Sequence, residues 1–222
     1  MTDAYTFEMP SPNPGRRLAA TVSLRARRRM FDRFMAVARP TEATTVLDVG
    51  VSPEGRLADV NAFESFYPWP WRITATSIED ARALELRYPG LRFVRTTGET
   101  LPFENQTFDV VVSSAVIEHV GDRGAQRRHV HELLRVGRRL FIATPNRWFP
   151  VDPHTMLPVV HWLPQRYHQQ ILTRLGKTFW ADTANLNLLT ARDMLRLFPD
   201  DVGTRLARER TLGFTSNLVA YT

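Results

Sequence analysis

A chain of 222 residues with 43% hydrophobic content is long enough to bury a full core, so a folded domain is expected. Zero cysteines exclude disulfides, thiolate metal sites and a cysteine nucleophile, and no apolar run approaches the roughly 18 residues that a membrane span needs. The net charge of +6 raises a polyanionic partner, yet Lys177 is the only lysine among the 29 basic residues, a skew that GC-rich coding produces without any ligand.

The N-terminus, MTDAYTFEMPSPNPG, has no basic region followed by an apolar stretch, so no secretory leader is expected and the cytoplasm is the expected location. Arg16 to Ala38 then reads as an amphipathic helix stopped by Arg39-Pro40. It holds the densest basic cluster, Arg25, Arg27, Arg28 and Arg29, beside Leu24, Met30, Phe31 and Phe34. Without an RNA-binding motif or stacking platform, that cluster reads as a solvated helix face and argues against a nucleic-acid partner. Residues 1–40 are thus taken as a tail and helix ahead of a domain spanning 41–222.

Within that domain strands and helices alternate. Thr44 to Val51 is a buried β-branched strand, followed by a loop and a helical stretch from Leu57 to Phe66 that ends at Tyr67-Pro68. Arg72 to Ile78 is a second strand, Glu79 to Tyr88 a helix closed by Pro89-Gly90, and Leu91 to Thr97 a third strand. Phe108 to Ala115 makes the fourth, Gln126 to Val136 its helix, and Arg138 to Thr144 the fifth, stopped by Pro145. Prolines at 150, 153, 158 and 164 then break the rhythm in an insertion of about 150–180, expected as a lid or substrate wall beside the site. Thr190 to Phe198 resumes as a helix, and Arg205 to Thr211 with Ser216 to Tyr221 closes the chain as a strand pair. This order predicts an α/β fold, a Rossmann-like doubly wound sheet of seven mostly parallel strands with an antiparallel strand at its C-terminal end.

Open parallel sheets bind ligands beyond the C-terminal ends of their strands, so Asp48, Gly50, Glu118 and His119 are the first candidates for function. A carboxylate at the end of an apolar strand, such as Asp48, is costly unless used, and Gly50 suits a positive φ or close backbone approach. Glu118 and His119 close the loop of the fourth strand, where they read either as pocket groups or as a helix-start acid and a surface histidine. His154, in the insertion, can take a substrate proton as a neutral imidazole or serve as a loop residue bonding a carbonyl. His154, His161 and His168 recur at seven-residue spacing, but Pro158 and Pro164 interrupt any helix that would align them, so no metal site is expected.

Read together, VLDVG, a second strand with an acidic helix start, LPF, FDVVVSSAVIEH and LLRVGRRLFIATPN resemble the class I S-adenosylmethionine-dependent methyltransferases, in their small-molecule branch with LPF and EH signatures. The resemblance covers Thr41 to Asn146. It implies S-adenosyl-L-methionine as cofactor and in-line methyl transfer to a small-molecule acceptor, a task of positioning and water exclusion. It also implies cofactor contacts at Asp48, Gly50, Ser52, Ser77, Ile78, Glu79, Thr97, Gly98, Glu99 and Ser114. On the same reading His154 and His119 are catalytic, and Glu118, Asn146, Arg147 and Trp148 line the acceptor pocket. A homodimer is compatible with the sequence.

The family pattern is not intact. Family members carry DxGxGxG after the first strand, whereas Asp48-Val49-Gly50-Val51-Ser52-Pro53-Glu54-Gly55 keeps the first glycine alone in register and inserts a stiffening proline. The acid expected at the end of the second strand is Ser77, with Glu79 and Asp80 just beyond, and the adenine-contacting acid is replaced by Thr97. Neutral hydroxyls contribute about 0.5–1.5 kcal/mol per hydrogen bond against roughly 1.5–3 for a charged acceptor, so either weaker cofactor binding or a ribose contact shifted to Glu79 is expected. The alternative reading is a methyltransferase-like protein with lost or weakened cofactor binding, acting as a binding or scaffold protein or catalysing another reaction.

Overall fold

The computed structural model describes residues 14–53, 60–96 and 98–222, with side chains from residue 21 onward. The expected Thr97 contact, Glu54 and Gly55 of the rewritten loop and the start of the helical stretch at Leu57 therefore lie outside the described residues. Pro14–Ala38 forms α1, followed by β1 (Val46–Val49), α2 (Ala62–Phe66), β2 (Ile73–Ser77), α3 (Ala83–Arg87) and β3 (Arg92–Arg95). The chain continues through β4 (Val110–Ser114), α4 (Arg123–Val136), β5 (Leu140–Pro145), α5 (Gln165–Arg174), α6 (Thr178–Ala181), α7 (Ala191–Leu195), β6 (Arg205–Thr211) and β7 (Phe214–Tyr221).

The strands build one seven-stranded sheet in the order β3-β2-β1-β4-β5-β7-β6. β1 to β5 pair in parallel, and β7 runs antiparallel to both β5 and β6. The expected architecture is therefore the observed one. Because β1 and β4 are buried on both faces, they read as continuous apolar runs in the sequence.

Side-chain alternation divides the core into two layers. On one face Val46, Ile73, Ala75, Val110, Val112 and Phe141 pack under Phe31 and Phe34 of α1. On the other Leu47, Val111, Leu140 and Ile142 pack with Val130 and Leu133 of α4 and with Leu189 and Leu218. The arginine-rich face of α1 is fastened to β6, where Arg33 Nε donates to Glu209 Oε1 at 2.6 Å and Arg29 Nη2 donates to the Arg210 carbonyl at 2.8 Å. Among the described residues no helix is long and apolar enough to cross a membrane.

Several helix bounds differ from the sequence reading for local reasons. α4 starts three residues earlier than expected because Asp122 caps it, its Oδ1 accepting the Ala125 N–H at 2.7 Å. The stretch before α3 is a pair of side-chain-closed turns, with Ser77 Oγ accepting the Glu79 N–H and Asp80 Oδ1 accepting the Arg82 N–H. The insertion is folded rather than open. Val151 pairs with Pro158 in an antiparallel bridge, and the following segment is built from α5 and α6.

Gly50 fixes how the chain leaves β1. Its φ is +96°, both it and Val51 donate backbone N–H groups to the Thr76 carbonyl, and a Cβ there would lie 2.2 Å from Val116 Cγ2. Gly50→Ala is expected to cost about 2–4 kcal/mol, from the left-handed backbone plus overpacking against Val116. Urea unfolding of the variant checks this; a midpoint equal to the parent's would show that the turn relaxes freely.

Candidate functional site

At the C-terminal edge of β1, β2 and β4 lies a cleft of about 750 Å³. Gly50, Ser52, Ser77, Ile78, Glu79, Gly98 and Glu99 line it, seven of the positions expected to meet the cofactor. Ser77 is buried, whereas Ile78, Glu79 and Glu99 are exposed to the cleft mouth. Gly98, at φ +84°, folds back so that its N–H donates to Thr96 Oγ1 at 2.8 Å. Arg128 and His129 of α4 close the far side. Burial lowers the His129 pKa to about 4, and its Nε2 is buried without a hydrogen-bond partner. The sequence reading missed this histidine because the amphipathic pattern of α4 accounts for it as a core-facing position.

Asp48 and Ser114 point elsewhere. They share the strand parity of Val46 and of Val110 and Val112, which puts them on the α1 side of the sheet. There they line a smaller cavity of about 190 Å³ that joins the cleft at Gly50, Val51 and Ser52. Glu64 of α2 and Arg27 of α1 line the same cavity. Burial raises the Asp48 pKa well above its ordinary value, and the charge of Glu64 and the hydrogen bond between the two carboxyls raise it further. Burial likewise raises Glu64. Two buried acids joined this way hold a proton between them. Nothing in the spacing of Glu64 from Asp48 signalled this pairing, since the packing of α2 beside α1 brings the two together.

A third group stands on the opposite face, beside the cleft. Ala115 takes the left-handed conformation at φ +58°, and the chain then makes a single tight turn, Ile117–His119. Glu118 in that turn is completely buried. Its Oε2 accepts the Thr144 hydroxyl at 2.9 Å, its backbone carbonyl accepts the Asn187 N–H at 2.7 Å, and its Oε1 has no hydrogen-bond partner. Gln126 braces the turn by donating from Nε2 to the Ile117 carbonyl at 2.9 Å.

Two imidazoles meet that oxygen. His119 Nε2 lies 3.9 Å and His154 Nε2 3.8 Å from Glu118 Oε1. Both distances exceed hydrogen-bond range. His119 Nδ1 lies 2.7 Å from the Asn185 carbonyl, an acceptor only, so Nδ1 carries a hydrogen. His154 Nδ1 lies 3.0 Å from Asp152 Oδ1. Asp152 Oδ1 also accepts the His154 backbone N–H at 3.1 Å and its Oδ2 the Thr155 hydroxyl at 2.6 Å, the pattern of a carboxylate acting as acceptor, so this Nδ1 is a donor too. The two rings meet edge to face, with centroids 4.8 Å apart, and Trp180 of α6 covers His154 at 5.4 Å. His119 lines the cleft.

Three expected acceptor contacts are not part of this cluster. Asn146 Nδ2 donates to the Thr215 carbonyl and its Oδ1 accepts the Trp148 N–H, which ties it to β7. Arg147 donates to the carbonyls of His161 and Leu163, bracing the insertion. Trp148 is half exposed over a separate depression that Asn146 also lines. The physical reason is that β5 runs on through Pro145, and Asn146 bridges to Leu189, so this stretch continues along the sheet instead of turning into the cleft. Glu118, the fourth such residue, lies beneath the two histidines rather than in the open cleft.

Residues 47–142 match the family model described as a methyltransferase domain. The chain is 31% identical over 144 residues to a ubiquinone biosynthesis O-methyltransferase of Chelativorans sp. (strain BNC1), covering 63% of this chain and 56% of that protein. It is 37% identical over 82 residues to the enzyme of that name from Parvibaculum lavamentivorans, covering 36% of this chain and 32% of that protein. The chain thus spans little more than half the length of the first of these relatives and about a third of the second. Among solved structures, magnesium protoporphyrin IX methyltransferase from Synechocystis PCC 6803 with bound S-adenosylhomocysteine superimposes with a TM-score of 0.56 at 13% identity, over 97% of this chain and 89% of that one. The N-methyltransferase NodS from Bradyrhizobium japonicum WM9, also with S-adenosylhomocysteine, gives 0.51 at 13% identity, over 95% and 88%.

Proposed function

We propose that this chain, which belongs to the class I S-adenosylmethionine-dependent methyltransferases by its domain match and its sheet, transfers the methyl group of S-adenosyl-L-methionine to an oxygen of a small-molecule acceptor. The observation that carries the reading is the junction of two sites at one sheet edge: a cofactor-sized cleft, and a cluster of lone-pair donors whose His119 forms part of the cleft wall. The relatives named as O-methyltransferases support oxygen as the acceptor atom.

The residues present fit the cofactor. A volume of about 750 Å³ lies within the range of cofactor pockets, about 300–1,000 Å³. Gly50 and Gly98 bring backbone close to its floor, Glu79 offers the carboxylate that Ser77 lacks, and the Asp48–Glu64 pair provides anionic oxygens for a cationic amino group. When bound, the cofactor supplies an activated methyl group on a sulfonium. The chain then has to hold the acceptor in line, exclude water and remove the hydroxyl proton. Glu118, His119 and His154 supply the last function, since the atoms they turn toward one another carry lone pairs. Trp180, above His154, supplies apolar cover on the acceptor side. The protein acts, on this reading, in the cytoplasm.

Calorimetric titration with S-adenosylhomocysteine tests the cofactor half, with one site per chain expected. No heat at millimolar ligand would instead favour the reading of a binding or scaffold protein.

A further inference from the structure

Glu118, His119 and His154 present an arrangement that proton removal alone does not require. One ligand-capable atom from each residue lies within 4.8 Å of the other two. Each is turned inward by a bond made at its far side: Thr144 holds Glu118 Oε2, the Asn185 carbonyl holds His119 Nδ1, and Asp152 holds His154 Nδ1. In neutral rings both Nε2 atoms then offer lone pairs toward a carboxylate oxygen that is fully buried and unpartnered. A buried anionic oxygen without a donor is costly, and three converging acceptors repel one another unless something positive stands between them. A single histidine serving as base would need one such ring, not two around a common point.

We propose that Glu118, His119 and His154 bind a divalent first-row transition-metal ion whose open positions take an acceptor oxygen. Two imidazoles and one carboxylate are ligands for zinc, manganese, iron or cobalt rather than for magnesium or calcium, which favour all-oxygen shells. Metal-binding histidines characteristically donate their second ring N–H to a carboxylate or carbonyl, as Asp152 and Asn185 accept here. Ligand atoms around such an ion lie about 3–3.5 Å apart, so the cluster has to close by about 0.5 Å at its nearer pairs and about 1.5 Å at its widest, within reach of side-chain rotations. Three protein ligands leave coordination positions free, and His119 already reaches the cleft wall. A hydroxyl coordinated there would become more acidic and would lose its proton to solvent at the cleft mouth rather than to one of the three ligands. The heptad-spaced His154, His161 and His168 do not form the site; its second histidine comes from the turn after β4. This inference rests on the proposed methyl transfer for its acceptor, but not for its metal.

The test uses the full chain without an affinity tag, freed of metal by a chelator and titrated with Co²⁺, read by calorimetry and visible absorption. One equivalent per chain is expected, with a ligand-field band. Glu118→Gln and His154→Ala should each weaken binding at least 10-fold, Asp152→Asn should weaken it less, and His131→Ala, an exposed histidine outside the cluster, should bind as the parent does. Urea unfolding of every variant reports folding; if Glu118→Gln fails it, His119→Asn together with His154→Ala decides. No stoichiometric Co²⁺ uptake by the parent up to about 1 mM, or equal uptake by the ligand variants, overturns the metal site. A parent that binds S-adenosylhomocysteine but not Co²⁺ overturns the metal site alone. One that binds Co²⁺ at these residues but not S-adenosylhomocysteine upholds it and overturns the cofactor reading.

Discussion

His154→Ala is expected to lower kcat by at least about 100-fold with an O-methyl acceptor, while S-adenosylhomocysteine affinity stays within about two-fold. The separation follows from position. His154 belongs to the folded insertion and is held by Asp152 below and Trp180 above. It does not line the main cleft, so removing it leaves the lining of that cleft in place. Whether the ring takes the proton itself or holds an ion that acidifies the hydroxyl, the loss falls on the chemical step. Asp152→Asn should reproduce a smaller part of it, because the amide can present its NH₂ to Nδ1 and reverse the ring's tautomer. Turnover of His154→Ala within a few-fold of the parent would remove the residue from the chemistry and leave it as a packing group between Asp152 and Trp180.

The sheet was legible in the sequence because parallel strands buried on both faces appear as short apolar, β-branched runs, such as VLDV and VVVSS, set between turn and helix signals. The same periodicity that located β1 also contained the direction of Asp48: with Val46 under α1, Asp48 has to face α1 too. What the sequence could not show was the partner it meets there. Glu64 lies beyond a rewritten loop whose path no motif specifies, and its carboxyl became a site group only through tertiary packing. The structure departs from the sequence expectation after β5. Asn146, Arg147 and Trp148 directly follow a strand end, the place where ligand contacts are expected, but their hydrogen bonds are spent on β7 and the insertion. Adjacency along the chain does bring Glu118 and His119 to the sheet edge beside the cleft, because their turn is a single tight one, braced by Gln126 and Asn187.

The Asp48–Glu64 pair makes the second large prediction, with opposite consequences for stability and binding. Burial raises both carboxyls above their ordinary values of 3.8 and 4.5, so the folded chain holds a proton that the unfolded chain releases. Stability conferred by that proton is present at low pH and declines as pH rises above about 4.5, because folding then requires proton uptake. Glu64→Gln takes one acid out of the pair, so its stability relative to the parent should grow from about pH 5 to pH 8, as urea midpoints across that range will show. Cofactor binding should move the other way. A cationic amino group brought beside the pair takes the place of the shared proton, so binding is expected to release protons, visible as calorimetric enthalpies that differ between phosphate and Tris buffers. Asp48→Ala removes a charged acceptor worth about 1.5–3 kcal/mol, and the dissociation constant for S-adenosylmethionine should rise by about 10- to 150-fold. Since the same substitution takes away a buried acid, loss of affinity cannot be blamed on a fold weakened by charge burial. An unchanged dissociation constant in Asp48→Ala would show that the amino group lies in the main cleft, and the paired acids would then be a cost that the fold bears without using it for the cofactor.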